Sequence, residues 1–292
     1  MKRIYSKDIV AARKTRLIDA FGAVKRRGIT PKLAAVICTA DPAAASYVSV
    51  KRKHTEEIGG AFEIVDLTSL CAADAGSRMN ALCARPDVHG VIVVMSSKPV
   101  IDEIELTNLI PANKDVDGLS ATNLGMLLQN DSRQFFTAPA TPQACIVLAE
   151  SATELRGKHV AVIGRGRTVG RPLANMLISA GATVTVCHSG TQDIPRITQS
   201  AEVVFVATGR PCHFGKNYFR DGQVIVDAGI GFIDGELTGD VDISALAELD
   251  VGVTPVPGGV GPLTSVLILE NLLKLIETQR SREPTALELA SR

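Results

Sequence analysis

Two stretches of this chain carry residue types at spacings that could do chemistry. The first is Tyr47-Val48-Ser49-Val50-Lys51, which places a phenol and an ammonium one helical turn apart on one face. A lysine desolvated in a closed pocket holds its proton less tightly and can exchange it near neutral pH. An exposed lysine beside a packed tyrosine gives the same spacing, so the pair alone does not choose between the two. The second stretch is Val160 to Pro172, Val-Ala-Val-Ile-Gly-Arg-Gly-Arg-Thr-Val-Gly-Arg-Pro, with glycines at 164, 166 and 170. An apolar run, a glycine turn and a helix-like segment from Leu173 to Ala180 form the opening unit of a dinucleotide-binding domain. Its pyrophosphate would rest on backbone N–H groups that side chains must not screen. The G-x-G-x-x-x-G spacing is one residue longer than the usual fingerprint, so a non-binding glycine turn also fits the motif taken alone.

The next strand refines the choice of cofactor. An acidic residue after that strand normally holds the ribose 2′-hydroxyl of NAD. Here Val184-Thr185-Val186 runs into Cys187-His188-Ser189-Gly190-Thr191, and no carboxylate follows until Asp193. Hydroxyls together with Arg165 and Arg167 suit a 2′-phosphate, which favours NADP. Simply solvated arginines are the competing explanation.

The elements that must position these residues alternate. Helices are expected over Asp8–Arg27, Pro42–Ile58, Ala73–Cys83, Ile101–Leu109 and Thr122–Leu128, with strands at Leu33–Cys38, Phe62–Leu67 and Gly90–Val94. That order implies a parallel sheet covered on both faces. Pro111–Gly118 reads as a polar loop, and the prolines of Phe136–Pro142 mark a domain boundary. A helix over Gln143–Ala152 leads into the Val160 strand; further strands follow at 203–206, 224–226 and 251–253, then an amphipathic helix over Leu263–Ile276 and a frayed tail. The fold class is therefore α/β with two domains. Residues 1–138 and 266–292 are expected to form a parallel-sheet catalytic domain, and 139–265 a Rossmann-type domain, with the last helix packing back on the first.

Composition excludes several classes. With 31 basic and 31 acidic residues the chain lacks the basic excess of a sequence-independent nucleic-acid binder. No apolar run is long enough to cross a bilayer, and the N-terminus lacks a signal-peptide core. Six cysteines without C-x-x-C spacing are expected to be small buried residues of a reducing compartment, so the protein is expected to be cytoplasmic. Histidines at 54, 89, 159, 188 and 213 show no metal-ligand spacing, so no metal is expected.

The Tyr-x-x-x-Lys spacing also occurs in short-chain dehydrogenases, but there the pair follows the glycine turn, whereas here it precedes it. In its order of motifs, the chain instead resembles the bifunctional methylenetetrahydrofolate dehydrogenase/cyclohydrolase family from about Lys32 to Asn271. The carriers are Tyr-Val-x-x-Lys at 47–51, Lys-Asp-Val-Asp-Gly at 114–118, Pro-x-Thr-Pro at 139–142 and Gly-Arg-Gly-x-x-Val-Gly-x-Pro at 164–172. Cys-His-Ser-x-Thr at 187–191, Gly-Asp-Val-Asp at 239–242 and Thr-Pro-Val-Pro-Gly-Gly-Val-Gly-Pro-Leu-Thr at 254–264 complete them. The resemblance implies that Lys51 is catalytic, that Tyr47 shapes the folate pocket and shares in catalysis, and that Asp117 accepts hydrogen bonds from the pterin. Pro257, Gly258, Gly259 and Pro262 would border the folate. Gly164, Arg165, Gly166, Val169, Gly170, His188, Ser189 and Ile230 would hold NADP, although packing explains His188 equally well. A homodimer is also implied.

The implied chemistry suits those residue types. Oxidising a methylene bridge between two nitrogens by hydride transfer releases no proton, so that step needs orientation more than a base. Hydrolysing the methenyl product needs an activated water and a protonated nitrogen, which is work for a lysine of tuned pKa. This chain departs from the family around residue 94. The family's Gly-Ile-Leu-Val-Gln-Leu-Pro-Leu-Pro reads Gly90-Val-Ile-Val-Val94-Met-Ser-Ser-Lys98, so Val94 stands where a glutamine partner of the lysine is expected. Valine cannot hydrogen-bond. Ser96, Ser97 and Lys98 alter the wall of the folate cleft, and a cation at Lys98 near Lys51 would disfavour the protonated lysine. Ala140 and Ala144 replace the family's Cys and Gly. The expectation is NADP-dependent oxidation of methylenetetrahydrofolate with impaired hydrolysis. A non-catalytic NADP-binding paralogue and an oxidoreductase on a non-folate substrate are the alternatives.

Overall fold

The computed structural model describes residues 1–39, 42–96, 99–129 and 137–280, with the backbone alone for 42–47 and 280. Its first half runs β1 (Lys2–Arg3), α1 (Lys7–Arg26), β2 (Lys32–Ile37), α2 (Pro42–Glu57), β3 (Ala61–Asp66), α3 (Ala72–Ala84), β4 (Gly90–Val94), α4 (Glu103–Asn108) and α5 (Ala121–Gln129). The second half runs α6 (Ala140–Glu150), β5 (His159–Ile163), α7 (Gly170–Ser179), β6 (Thr183–Cys187), α8 (Ile194–Ser200), β7 (Val203–Val206), β8 (Val224–Asp227), β9 (Gly231–Ile233), β10 (Glu236–Thr238), β11 (Gly252–Val253) and α9 (Val260–Arg280). These elements divide into two compact units.

One unit contains residues 13–138 and the chain from 268 onward. Its sheet has the order β3-β2-β4, all parallel. The β2-α2-β3 connection moves one way across the sheet and β3-α3-β4 moves back past β2. Right-handed crossovers in opposite directions put α2 and α3 on opposite faces. Ala34, Val36, Val91 and Val93 form one core with Ala75, Met79 and Leu82 of α3. By the two-residue period of a strand, Leu33, Ala35, Ile92 and Val94 turn to the face of α2, and all are buried. The last part of α9 belongs to this unit: Asn271 Nδ2 donates to the carbonyls of Val116 (2.9 Å) and Ala138 (3.2 Å). Gly90 is required here, because an added Cβ would meet the side chains of Val116 and Leu272.

Pro111–Gly118, polar in composition, is buried in its middle. Lys114, Asp115 and Val116 are buried, because the segment docks on β4 through Val91 N to Lys114 O (2.7 Å) and a parallel bridge from Val91 to Asp115.

The other unit contains residues 1–12 and 139–267. Its six strands, in the order β1-β11-β8-β7-β5-β6, are all parallel. The expectation that residues 1–12 belong to the first domain is corrected: Lys2 N donates to Val251 O (2.7 Å) and Ile4 N to Val253 O (2.8 Å), which makes β1 the edge of this sheet. A two-residue strand has no periodicity to read. The chain reverses direction about β5, so the turn after β5 lies at the topological switch point where such sheets bind ligands. Helix α8 and the β9–β10 hairpin were not expected from the sequence.

The cysteines are all free, but they are not uniformly buried: Cys71 and Cys212 are exposed. Cys71 donates to Asp74 Oδ2 at the start of α3, and Cys212 occupies a left-handed turn position (φ 50°). Among the described residues no helix is long and apolar enough to cross a membrane.

Candidate functional site

In the first unit the structure brings together Lys51 and Asp117. Pro42 opens α2, and Lys51 lies in its middle with only 3% of its surface exposed. Burial lowers its pKa from 10.5 to about 8, and the negative charge of Asp117 partly offsets the fall. Burial conversely raises Asp117 to about 6; Lys51 opposes that shift and Asp115 adds to it. Two groups whose ordinary values lie far apart are thus drawn toward neutrality, as proton-exchanging sites require. The α2 backbone carries Tyr47, whose side chain lies outside the described residues, as do Ser97 and Lys98.

The segment that carries Asp117 is pinned by neighbours that the sequence reading did not single out. Asp115, 1% exposed, accepts from Gly118 N and Ser120 N (2.8 Å each) and from Asn123 Nδ2 (2.8 Å). Thr137 Oγ1 donates to the Asp115 carbonyl and accepts from Asn123 Nδ2 (3.1 Å). A carboxylate three residues before a glycine that turns at φ 70° is a signal for such a pin, and Lys-Asp-Val-Asp-Gly contained it.

Val94 ends β4 at 2% exposure, paired in register with Ile37. Just beyond it, Ser96 N donates to Glu103 Oε1 (2.7 Å) and Ser96 Oγ accepts from Thr39 Oγ1 (3.0 Å). Glu103 is buried, which raises its pKa. The strand end therefore combines an apolar Val94 with a small polar cluster at Thr39, Ser96 and Glu103. Ala140 and Ala144 are fully buried in α6 of the other unit.

In that second unit the glycine turn separates by cause. Gly164 (φ 118°) abuts the Ala207 carbonyl, and Gly170 abuts the Gly164 carbonyl, so the fold itself excludes a Cβ at both. A Cβ on Gly166 would meet nothing within 4 Å. Packing does not demand that glycine, whereas close approach of a ligand would. Helix α7 starts at Val169 with no side chain capping it, which leaves its N-terminus open to an anion. Arg165 is exposed with no ion pair to a described residue, and Arg167 is half-buried.

After β6, His188 Nδ1 accepts from Gly190 N (3.1 Å), and Thr191 Oγ1 accepts from His188 N (3.0 Å). His188 thus shapes its own turn and presents Ser189, which is exposed. Asp193, the first carboxylate downstream, caps α8 by accepting from Arg196 N (3.3 Å). Ile230 is 58% exposed between β8 and β9. These residues fit a dinucleotide with an extra phosphate.

The positions expected to border the folate, 257–262, also lie in the second unit. Pro257 is exposed after a cis bond, and Gly258 (φ 106°) accepts from Ser6 N and Oγ (3.0 Å each). A Cβ on Gly259 would lie 2.6 Å from the Pro255 carbonyl, and Pro262 sits in the first turn of α9. Among the described residues no cluster of His, Cys, Asp or Glu could hold a metal ion.

Comparison with known proteins covers both units. The catalytic-domain model of tetrahydrofolate dehydrogenase/cyclohydrolase matches residues 4–117, and its NAD(P)-binding-domain model matches 139–280. The bifunctional protein FolD of Thermotoga sp. (strain RQ2) is 42% identical over 259 residues, covering 88% of this chain and 93% of that protein. The crystal structure of the bifunctional enzyme FolD from Campylobacter jejuni superposes with TM-score 0.89 at 32% identity, covering 96% of this chain and 99% of that one. The Trypanosoma brucei enzyme, complexed with NADP cofactor and inhibitor, gives 0.87 at 29% identity over 96% and 98%. Paired domain models, a buried Lys51 beside a half-buried Asp117 and a glycine turn at the switch point agree: this chain belongs to the tetrahydrofolate dehydrogenase/cyclohydrolase family.

Proposed function

We propose that this chain oxidises the methylene bridge of 5,10-methylenetetrahydrofolate with NADP and hydrolyses the methenyl product only weakly. The observation that carries the reading is Lys51, buried beside Asp117 and lowered to about 8. Arg165 and Ser189 hold the 2′-phosphate, by charge and by hydroxyl, while Gly164, Gly166, Val169 and Gly170 bring backbone to the pyrophosphate. His188 fixes the turn that presents Ser189, and Ile230 gives an apolar contact. When bound, NADP supplies the acceptor for the hydride. Asp117 accepts hydrogen bonds from the pterin and orients it, with Tyr47, Pro257, Gly258, Gly259 and Pro262 bordering the substrate.

Hydrolysis is where Lys51 must hold and pass a proton, and where a glutamine is expected to orient it stands Val94, an apolar side chain with no donor or acceptor. That same observation favours a second reading, a non-catalytic NADP-binding paralogue. An oxidoreductase on another substrate stays open through the altered cluster at Ser96. The protein works as a homodimer in the cytoplasm. Formation of NADPH from methylenetetrahydrofolate, followed alongside loss of methenyltetrahydrofolate above its spontaneous rate, tests the proposal. Oxidation with slow hydrolysis is expected; NADP binding without tetrahydrofolate binding in calorimetry would favour the paralogue. Fast hydrolysis abolished by Lys51→Ala would show that Val94 is no impediment.

A further inference from the structure

Two carboxylates in the cofactor-binding unit have no part in the chemistry above, yet both are fully buried. Asp227 ends β8, and Asp240 follows β10. Asp227 Oδ1 accepts from Gly229 N (2.9 Å) and Asp240 N (3.1 Å), and its Oδ2 accepts from Val241 N (2.9 Å). Asp240 Oδ2 accepts from Thr208 N (2.6 Å), Thr208 Oγ1 (2.9 Å) and Gly209 N (2.9 Å). The two carboxylates bracket Gly229: one takes its N–H, and the other fills the space that a Cβ there would need. Together they tie the turn after β7, the turn after β8 that carries Ile230, and the strand leaving the hairpin. Both turns sit at the carboxyl ends of parallel strands, where a dinucleotide lies in such a sheet.

The hydrogen-bond inventory is short by one. Asp240 Oδ1 is buried without a partner, while both Asp227 oxygens already accept backbone N–H groups. Neither carboxylate forms an ion pair with a described residue, and the thiol of Cys145 on α6, itself pushed up by burial and by Asp227, brings no positive charge. Two adjacent buried carboxylates without a cation do not both ionise readily.

We infer that Asp227 and Asp240 share one proton between them, and that this protonated clasp positions Ile230 and the Thr208–Gly209 turn for the cofactor. A proton shared between the carboxylates is the partner that the described residues leave open to Asp240 Oδ1. Burial, with the charge of Asp240 adding to it, raises Asp227 to about 7, so the clasp opens just above neutrality. Asp227 and Asp240 are positioning residues, and the assignment of Ile230 to the NADP site rests on the proposed function.

The two carboxylates differ in what an amide would do. In Asp240→Asn the amide oxygen replaces Oδ2 and the NH2 takes the place of the unpartnered Oδ1, supplying the hydrogen that the shared proton supplies and locking the clasp shut. In Asp227→Asn an NH2 must face backbone N–H groups whichever way it turns. The experiment is denaturant unfolding of wild type and both variants from pH 4 to 9, with NADP titrated calorimetrically at pH 6.5 and 8.5. A raised acid stabilises the fold while protonated, and that stability is lost as pH rises between the ordinary value and about 7. The folding equilibrium of Asp240→Asn relative to wild type should therefore rise up to about tenfold per pH unit from 4 to 7 and level off above. Asp227→Asn should be destabilised throughout. NADP affinity should fall at pH 8.5 in wild type and not in Asp240→Asn. Parallel stability curves overturn the shared proton. A pH-dependent stability gap with NADP affinity unchanged in both proteins overturns the positioning role. Absence of NADP binding by wild type at either pH overturns the cofactor reading instead.

Discussion

Replacing Lys51 with methionine keeps most of the side chain's volume and removes its charge, so it reads directly how far burial has weakened the lysine's hold on its proton. The folded chain holds that proton with a pKa of about 8, against 10.5 for the ordinary side chain. At 1.36 kcal/mol per pH unit, ionised Lys51 costs about 3 kcal/mol more to fold than the neutral amine. Between about 8 and 10.5 the unfolded chain binds more protons than the folded one, so wild-type stability should gain up to about 3 kcal/mol across that window and none of it below. Lys51→Met lacks this gain and already has it at pH 7, reduced by whatever Asp117 loses with its counter-charge. Without that cation Asp117 moves further up and takes a proton, which limits the loss. Urea unfolding of both proteins from pH 6.5 to 10.5 measures the difference. Lys51→Met should be the more stable at pH 7, and the two curves should converge toward pH 10.5. If the curves run parallel from pH 8 to 10.5, Lys51 is an ordinary lysine and the case for a tuned proton carrier falls.

The cofactor half yields contrasting pairs. Gly164→Ala forces a Cβ onto the Ala207 carbonyl at φ 118° and should lower stability by at least about 2 kcal/mol in thermal unfolding. Gly166→Ala meets open space, so its unfolding should match wild type while its NADP dissociation constant rises about tenfold, about 1.4 kcal/mol. Arg165→Ala removes a charge-assisted contact to the 2′-phosphate and should weaken NADP by about 10- to 100-fold, leaving NAD nearly unchanged; equal loss for both cofactors would remove Arg165 from the phosphate site. Asp115→Asn must set an NH2 against N–H donors in either orientation, so it should cost about 1–3 kcal/mol of stability and raise KM for the folate.

What the sequence disclosed was governed by how local each signal is. The Gly90–Val94 strand and its helices are encoded in runs of five or more residues, and the structure places them where periodicity put them. The glycine turn was equally legible as a local motif, although the contact that excludes a Cβ at Gly164 comes from Ala207 after β7, and only that at Gly170 lies within the turn itself. β1 was hidden because two residues carry no period, and its pairing partner lies at the far end of the chain. The burial inside Pro111–Gly118 was hidden for a related reason: its composition is polar, but its buried carboxylate is satisfied by donors at 118, 120 and 123 that pairwise spacing does not announce. Asp240 Oδ1 is the limiting case, because a missing partner is visible only in three dimensions.

Val94 turns the question of function into one of energetics. All five residues of β4 are buried, and Val94 faces the side covered by α2, the helix that carries Lys51. An amide there costs about 1–3 kcal/mol unless it finds a hydrogen-bond partner, whereas valine satisfies the site by packing alone. The apolar residue therefore favours stability at the end of a strand where the resemblance implies a glutamine. In Val94→Gln the two effects separate. If Lys51 is within reach of the new amide, the variant should unfold within about 1 kcal/mol of wild type and hydrolyse methenyltetrahydrofolate faster, with oxidation unchanged. Should it lose the full desolvation cost and gain no hydrolysis, the surroundings of Lys51 have moved away from proton transfer as well, and the non-catalytic reading gains over the enzymatic one. Stability and turnover measured on one variant thus decide between a dehydrogenase missing one hydrogen bond and a binding protein that keeps the family's lysine.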